Sequence, residues 1–433
     1  MKLAVLTPTL KISAIGRVAS LVARSLVAQG HDVVTISSQS EELLEHETHD
    51  FPSPPIAWND HAQVNDVLQG QADAVVYHVG DNYSYHKGCI EWLPRFRGVV
   101  CLHDFFLGNL FLGWREKNVP ESSAILTGWY GSAAANAFSG FGNIDDFIEG
   151  TRETSPLTEW ICSMASGVVT HSSWGVDRVL KSCPGPVKVV PLAYDAENFD
   201  AAGPDLDKEK FNLLTVGNVN FNKRVESVIT SIGRSSILRD HTIYRLVGAV
   251  RSEIREKLSR LASEHGVSLR ISGQIDDTEL RKAMLEADVI SCLRSPVLEA
   301  ASASAIEAML YGKPTVVTNS GFYQEIPDNC TMKIDPADEI ASLQNALERL
   351  FQEDDLRVSV GSCAQKWASK TFSSDNYAAR LVETSELANA ADPLISMANT
   401  FSAIVRGWGG GEKIMSLEET LSPLKVFYPQ QRS

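Results

Sequence analysis

The stretch ADVISCLRSPVLEAASASAIEAMLYGKPTVVTNS, residues 287–320, decides how the chain is read. Its ends, ADVISCL and PTVVTNS, are short apolar runs rich in β-branched residues, as expected of strands covered on both faces. Between them lies a serine- and alanine-rich segment bracketed by Glu299 and Glu307. Strand, loop, helix and strand in that order make a parallel unit with a helical crossover. Ser304-Ala-Ile-Glu307 fits a capping box, in which serine caps the helix and the glutamate reaches back to the cap's amide. That reading accounts for Glu307 and leaves Glu299 without a structural task, in a loop behind Arg294 and Pro296. Small residues between the carboxylates would let a ligand approach the backbone, and amides at a helix start suit a diphosphate. Glu299 before the helix and Glu307 in its first turn could then address different parts of one elongated ligand.

The same grammar extends on both sides. FNLLTVG, TIYRLVG and VSLRISG read as further strands, with helical patterns such as SEIREKLSRLASEHG and DTELRKAMLEA between them. Towards the N-terminus, Tyr194 to Lys210 (YDAENFDAAGPDLDKEK) is acidic and aperiodic and reads as a linker. Before it the alternation resumes with KLAVLTP, HDVVTIS, ADAVVYHVG, GVVCLHD, ASGVVTHS and VKVVPLA. The expectation is therefore α/β, with two doubly wound domains. The first covers 1–193, the linker 194–210 and the second 211–372. Residues 373–433 add C-terminal helices and a Gly-rich tail, with the helices packing back towards the first domain. Such sheets bind ligands beyond the carboxyl ends of their strands, so the site is sought in the cleft where two sets of ends face each other.

Bulk properties narrow the function. A chain of 433 residues with 44% hydrophobic and 21% charged residues is a globular protein of more than one core. Its formal net charge of −15 opposes non-specific binding to nucleic acid or anionic lipid. Seven cysteines without a C-x-x-C pair read as reduced thiols, which places the protein in the cytoplasm. MKLAVLTPTL reads as a first strand rather than a signal peptide, and no apolar run is long enough to span a bilayer. Ser122 to Ile144 carries no charge, which leaves two readings: buried or lid-like helices, or a peripheral contact with a membrane surface or lipid acceptor.

The strand-end loops hold the candidate residues. Gly16, in TPTLKISAIGRV, stands alone, so the dinucleotide fingerprint is absent and an NAD enzyme is disfavoured. The glycine serves either packing or the approach of a ligand. His103, in VVCLHDFF, could donate a hydrogen bond to a sugar, lend its charge, or be a satisfied structural histidine; His171, in VVTHSSW, has the structural reading as its stronger one. In LLTVGNVNFNKRVESVI, the asparagines with Lys223 and Arg224 form a polar, cationic lip before a helix. Cations are disfavoured at the positive end of a helix, so this lip points either to an anionic ligand or to a solvated corner. The one D-x-D, Asp205-Leu206-Asp207, lies in the linker and is rejected as a metal site.

Together, the first loop with Gly16, LHD, VVTHS, TVGNVNFNKRVESVI, SGQIDDTELRKAMLEADVISCL and the E-x7-E segment with EAMLYGKPTVVT resemble the retaining glycosyltransferases of family 4. HDFFLG and LRSP…E are similar to the branch found in bacterial surface-polysaccharide assembly. The resemblance implies a GT-B fold, two Rossmann-like domains facing each other across a cleft, the first for the acceptor and the second for the nucleotide sugar. It also implies transfer of a hexose, with retention, from a nucleoside-diphosphate sugar to a glycan or lipid-linked glycan acceptor, without a metal or other cofactor. Glu299 would bind donor-sugar hydroxyls and Glu307 the ribose. Lys223, with Arg224 and the amides of Ala303 and Ser304, would hold the diphosphate. Ile275 would meet the base through its backbone, and His103 and Gly16 would face the sugar and the phosphates or acceptor. Asn218 stands where many members have an arginine, and Ala-Ser replaces the usual Phe-Gly after the first glutamate, which leaves donor identity open. Two other readings stay open, an epimerase or phosphorylase on the same fold and a non-catalytic nucleotide-sugar-binding subunit.

Overall fold

The computed structural model describes residues 1–138, 140–195, 210–407 and 409. The first sheet takes β1 (Lys2–Thr7), β2 (Asp32–Ser37), β3 (Ile56–Ala57), β4 (Ala74–Val79), β5 (Val99–Leu102), β6 (Gly167–Thr170) and β7 (Val187–Val189). Their order is β3-β2-β1-β4-β5-β6-β7, with every pairing parallel. The second sheet takes β8 (Phe211–Val216), β9 (Thr242–Val247), β10 (Ser268–Gly273), β11 (Val289–Ser291), β12 (Thr315–Thr318) and β13 (Met332–Ile334), in the order β10-β9-β8-β11-β12-β13 and again parallel. Central strands such as β5 and β12 are buried at every residue, which is why their sequences are apolar runs rather than alternations. In each sheet the order reverses beside its first strand, between β1 and β4 and between β8 and β11. These are the switch points where a crevice opens.

Six helices matter for the site. They are α1 (Ala14–Ala28), α2 (Gly108–Arg115), α3 (Val119–Ala137), α4 (Ile144–Thr151), α5 (Ala303–Leu310) and α6 (Ser374–Gly407). In α1, Val18, Leu21, Val22 and Leu26 line one face and are buried, while Ser13 caps the start by accepting from the Gly16 amide at 3.1 Å. The last helix packs back on the first lobe: Ser25 Oγ donates to Ser374 Oγ at 2.9 Å, and Asn389 Nδ2 to the Asp73 carbonyl at 2.8 Å.

Several expectations change here. The capping box does not form: the N-cap of α5 is Ser302, so Ser304 is already helical and Glu307 lies beyond the first turn, out of reach of the cap amide. In the uncharged Ser122–Ile144 stretch, Ser122, Leu126 and Phe138 are buried while Trp129 and Ile144 are exposed, so burial accounts for only part of it. The C-terminal helices expected within 373–433 are one long helix, α6, which runs to Gly407. Residues 196–209 of the linker, with Asp205-Leu206-Asp207, and the Gly-rich tail from residue 410 lie outside the described residues. All seven cysteines are free thiols. Among the described residues no helix is long and apolar enough to cross a membrane, and no three His, Cys, Asp or Glu side chains are grouped to hold a metal.

Candidate functional site

The carboxyl ends of the two sheets meet. The loop behind β11 lies against the loop behind β5 as a one-step antiparallel pairing of Asp104 with Glu299. Phe105 N donates to the Leu298 carbonyl and Ala300 N to the His103 carbonyl, both at 2.8 Å. Ser172 Oγ donates to the Ala300 carbonyl, and Ser173 donates from its amide and hydroxyl to Glu325 Oε1 at 2.6 and 2.7 Å. The backbone around Glu299 is thus fixed from the opposite lobe.

On the second lobe, the Glu299 carboxylate accepts from Arg294 Nε at 3.0 Å and from the Tyr323 hydroxyl at 3.1 Å. Lys223 ends a short 3-10 turn, Phe221–Lys223, directly behind β8. Its ammonium donates to the Val216 carbonyl, and only 6% of the residue is exposed. Burial, reinforced by the Arg294 guanidinium, pushes the Lys223 amine down to about 7. Gly217, at φ +91°, keeps this position open, because a Cβ there would come within 3.0 Å of Nζ. Arg224, expected beside Lys223, instead takes a left-handed backbone conformation and pairs with Glu339 at 3.0 Å. The lip is therefore one buried lysine rather than a Lys–Arg pair. Asn218 is exposed just behind Gly217. Ala303 and Ser304 open α5, their side chains half-buried. Ile275 follows β10 and packs half-buried against the core.

Glu307 is buried and held by residues that sequence reading passed over. Arg17 Nη1 donates to it at 3.2 Å, as does the Tyr194 hydroxyl at 3.2 Å. Arg17 also binds Asp195 at 3.0 Å and lies 4.6 Å over the Tyr194 ring. The available signal was position: Arg17 follows the singled-out Gly16, as Arg294 precedes Glu299 in its loop. Gly16 itself has a packing reason, because a Cβ would sit 2.4 Å from the Pro8 carbonyl oxygen and 3.1 Å from the His49 ring.

On the first lobe His103 belongs to a buried imidazole cluster. Its Nε2 lies 3.0 Å from His78 Nδ1, its ring centroid is 4.7 Å from that of His171, and His171 Nδ1 lies 3.2 Å from the Val190 carbonyl. Burial, with His171 and His78 adjacent, holds His103 well below the usual imidazole range, so it can donate a hydrogen bond but not a charge. Beside it, Asp104 Oδ2 accepts from Asp81 N at 2.8 Å, and Asp81 accepts from Asn109 and the Leu110 amide. Burial raises the Asp104 carboxyl to about 7, and burial and Asp104 raise Asp81 well above its ordinary value.

Known structures with two such lobes and facing strand ends can now be compared. Sucrose-phosphate synthase from Thermosynechococcus elongatus matches with a TM-score of 0.60 at 15% identity, over 88% of this chain and 98% of that one. Anabaena HepE in complex with UDP and glucose matches at 0.59 and 15%, over 89% and 99%. WaaG, a glycosyltransferase involved in lipopolysaccharide biosynthesis, matches at 0.56 and 16%, over 88% and 98%. The fold is GT-B. Within this GT-B chain, residues 197–367 match the model of the glycosyl transferases group 1 family. No curated protein matches the sequence.

The imidazole cluster makes the GT-B scaffold acid-sensitive in a calculable direction. Burial lowers His78 and His86 to about 3 and His171 to about 4, with His103 also depressed. Below the unfolded histidine value of about 6.5 the unfolded chain binds these four protons and the folded one does not, so stability falls as the pH is lowered. The raised Asp81 and Asp104 act oppositely, binding protons in the folded state first. Four against two leaves a net loss from pH 6.5 down to about pH 4, on the order of 1.4 kcal/mol per pH unit for each uncompensated proton. Urea midpoints measured across this range are expected to fall, and His78→Asn is expected to flatten the slope by about one proton.

Proposed function

We propose that the protein is a retaining, metal-independent glycosyltransferase. It moves a hexose from a nucleoside-diphosphate sugar to a glycan or lipid-linked glycan acceptor in bacterial surface-polysaccharide assembly, on the cytoplasmic side of the membrane. Residues 1–193 would serve the acceptor and 211–372 the donor, joined by 194–210 and braced by 373–433. The observation that carries this reading is the placement of Glu299: a carboxylate at the crevice of the second lobe, with Lys223 behind it and the His103 loop clamped against it. The group 1 family match over 197–367 and the UDP and glucose in the HepE complex support the donor class.

In the reaction the bond from the anomeric carbon to the diphosphate oxygen breaks, and the acceptor oxygen bonds that carbon from the same face. The acceptor proton passes to the departing phosphate oxygen. Negative charge grows on the diphosphate, where Lys223 and the α5 amides of Ala303 and Ser304 stabilise it. Glu299 would orient sugar hydroxyls and Glu307 the ribose. With one ring nitrogen shared with His78, His103 has Nδ1 for a sugar hydroxyl. Ile275 would offer its backbone to the base, and Asn218 and Gly16 would border the phosphates. Arg224 is left out because Glu339 occupies it.

The test is product analysis with radiolabelled UDP-, GDP-, ADP- and dTDP-hexoses and a membrane glycan extract, in EDTA. Label is expected in a glycoside with the donor's anomeric configuration. Label recovered as an epimeric sugar nucleotide or as a sugar phosphate would replace this reading with an epimerase or phosphorylase. Nucleotide-sugar binding without turnover would make the protein a binding subunit.

A further inference from the structure

We infer that Arg294 is the second cation of the diphosphate site, reaching the phosphates from the β11 side while Lys223 reaches them from the β8 side. The inference rests on the donor class proposed above and adds a residue to that site. Three observations carry it. First, the two positive side chains stand on the two strands that flank the switch point of the second sheet, Lys223 behind β8 and Arg294 behind β11. Second, their loops are tied together, since Ser295 N donates to the Asn222 carbonyl at 2.9 Å, and the Arg294 amide is anchored on Thr318 Oγ1 at 3.1 Å. Third, both are nearly buried, at 6% exposure for Lys223 and 11% for the Arg294 side chain, and among the described residues Glu299 pairs with Arg294 while the Lys223 ammonium meets a backbone carbonyl.

Two buried cations with one anion are electrostatically incomplete, because a buried charge is expensive unless a counter-charge meets it. Without a ligand, Lys223 offsets part of that cost by giving up its proton near pH 7; with both side chains charged, the missing negative charge is one a ligand lodged between β8 and β11 would supply. A diphosphate supplies it in the form a guanidinium binds best, with adjacent oxygens spaced for its forked donors. The neighbouring cation cannot do this: Arg224 is taken by Glu339. Arg294 also touches Glu299, so one side chain links the phosphates to the carboxylate proposed for the sugar. Release of the diphosphate would leave Arg294 with Glu299 and the Leu293 carbonyl, to which its Nη1 donates at 2.8 Å.

The experiment compares each nucleoside diphosphate (UDP, GDP, ADP, dTDP) with its monophosphate by titration calorimetry on the full chain, for wild type, Arg294→Gln, Arg294→Lys and Glu299→Gln. Wild type is expected to prefer one diphosphate over its monophosphate. In Arg294→Gln that preference should shrink by about tenfold or more, the weight of one charge-assisted contact, while monophosphate affinity changes less than about threefold. Arg294→Lys should restore part of the preference, and Glu299→Gln, which keeps the cation, should retain it. A preference unchanged in Arg294→Gln, or diphosphate and monophosphate affinities falling in parallel, would overturn the assignment and make Arg294 a support for Glu299 only. If Arg294→Gln does not fold, Arg294→Lys decides by the same ratio, an unchanged one counting against a forked contact. If wild type binds none of the four diphosphates, the donor reading falls and this inference with it.

Discussion

Lys223→Ala is expected to lower turnover by about two to three orders of magnitude, the usual cost of removing one preorganised group from a site where charge develops. The lysine is buried and its amine is held by a backbone carbonyl behind Gly217, so it is already aimed before any ligand arrives. Burial and Arg294 also lower it to about 7, which gives a second readout. A bound diphosphate raises the amine again, so above pH 7 binding must take up a proton. Affinity for the preferred diphosphate is then greatest between about pH 6, where the terminal phosphate takes up its second proton, and about pH 7. Above it, affinity weakens up to about tenfold per pH unit until the pKa of the bound state is reached. Calorimetry in two buffers of different ionisation enthalpy measures that proton directly. In Lys223→Ala the weakening above pH 7 should vanish along with the turnover. Unaltered turnover in Lys223→Ala would remove the lysine from the reaction.

Glu299→Gln should reduce kcat by about a hundredfold or more, with a smaller change in nucleotide affinity, because the carboxylate is assigned to the sugar and not to the nucleotide. The amide keeps the shape and one acceptor for the Tyr323 hydroxyl, so the fold should survive. Glu299→Ala should do worse for a separate reason. Both variants remove the counter-charge of Arg294, but alanine also leaves Arg294 Nε and the Tyr323 hydroxyl without an acceptor, and each unsatisfied buried donor costs on the order of 1–3 kcal/mol of stability. Urea midpoints should therefore separate the two variants, and single-turnover rates should group them. A Glu299→Gln enzyme that turns over like wild type would show that the carboxylate is structural.

The sheet architecture was legible because its strands are covered on both sides and so appear as unbroken β-branched runs, as in PTVVTNS and GVVCLHD. The two strands that escaped reading are those too short to show a pattern: Ile56–Ala57 has two residues, and Met332–Ile334, MKI, interrupts its apolar pair with a lysine. At the site, Glu299 stood out because nothing local explained it. Glu307 was given a local explanation that fits its spacing, and α5 begins too early for that explanation to operate. Its partners, Arg17 and Tyr194, come from positions 290 and 113 residues away. Contacts of that separation leave no periodic mark, and neither does the diversion of Arg224 to Glu339, 115 residues on. Spacing rules report what one element does with itself, whereas burial between lobes decides the remainder.

The chain leaves the first lobe at residues 190–195 and comes back to it at the start of α6, and these two segments are laced together where Tyr194 N donates to the Phe372 carbonyl at 3.1 Å. Two adjacent strands of chain act as a pivot with a defined axis, since a single strand would allow twisting and two side by side resist it. Any parting of the lobes would then be a swing about this point, and it would have to break the Asp104–Glu299 pairing. Tyr194 sits in the pivot and holds Glu307, so that carboxylate lies near the axis and is displaced little when the lobes part. Under the proposed function, a nucleotide whose ribose meets Glu307 would keep that contact through such a swing, while the opposite end of the same molecule would be released first.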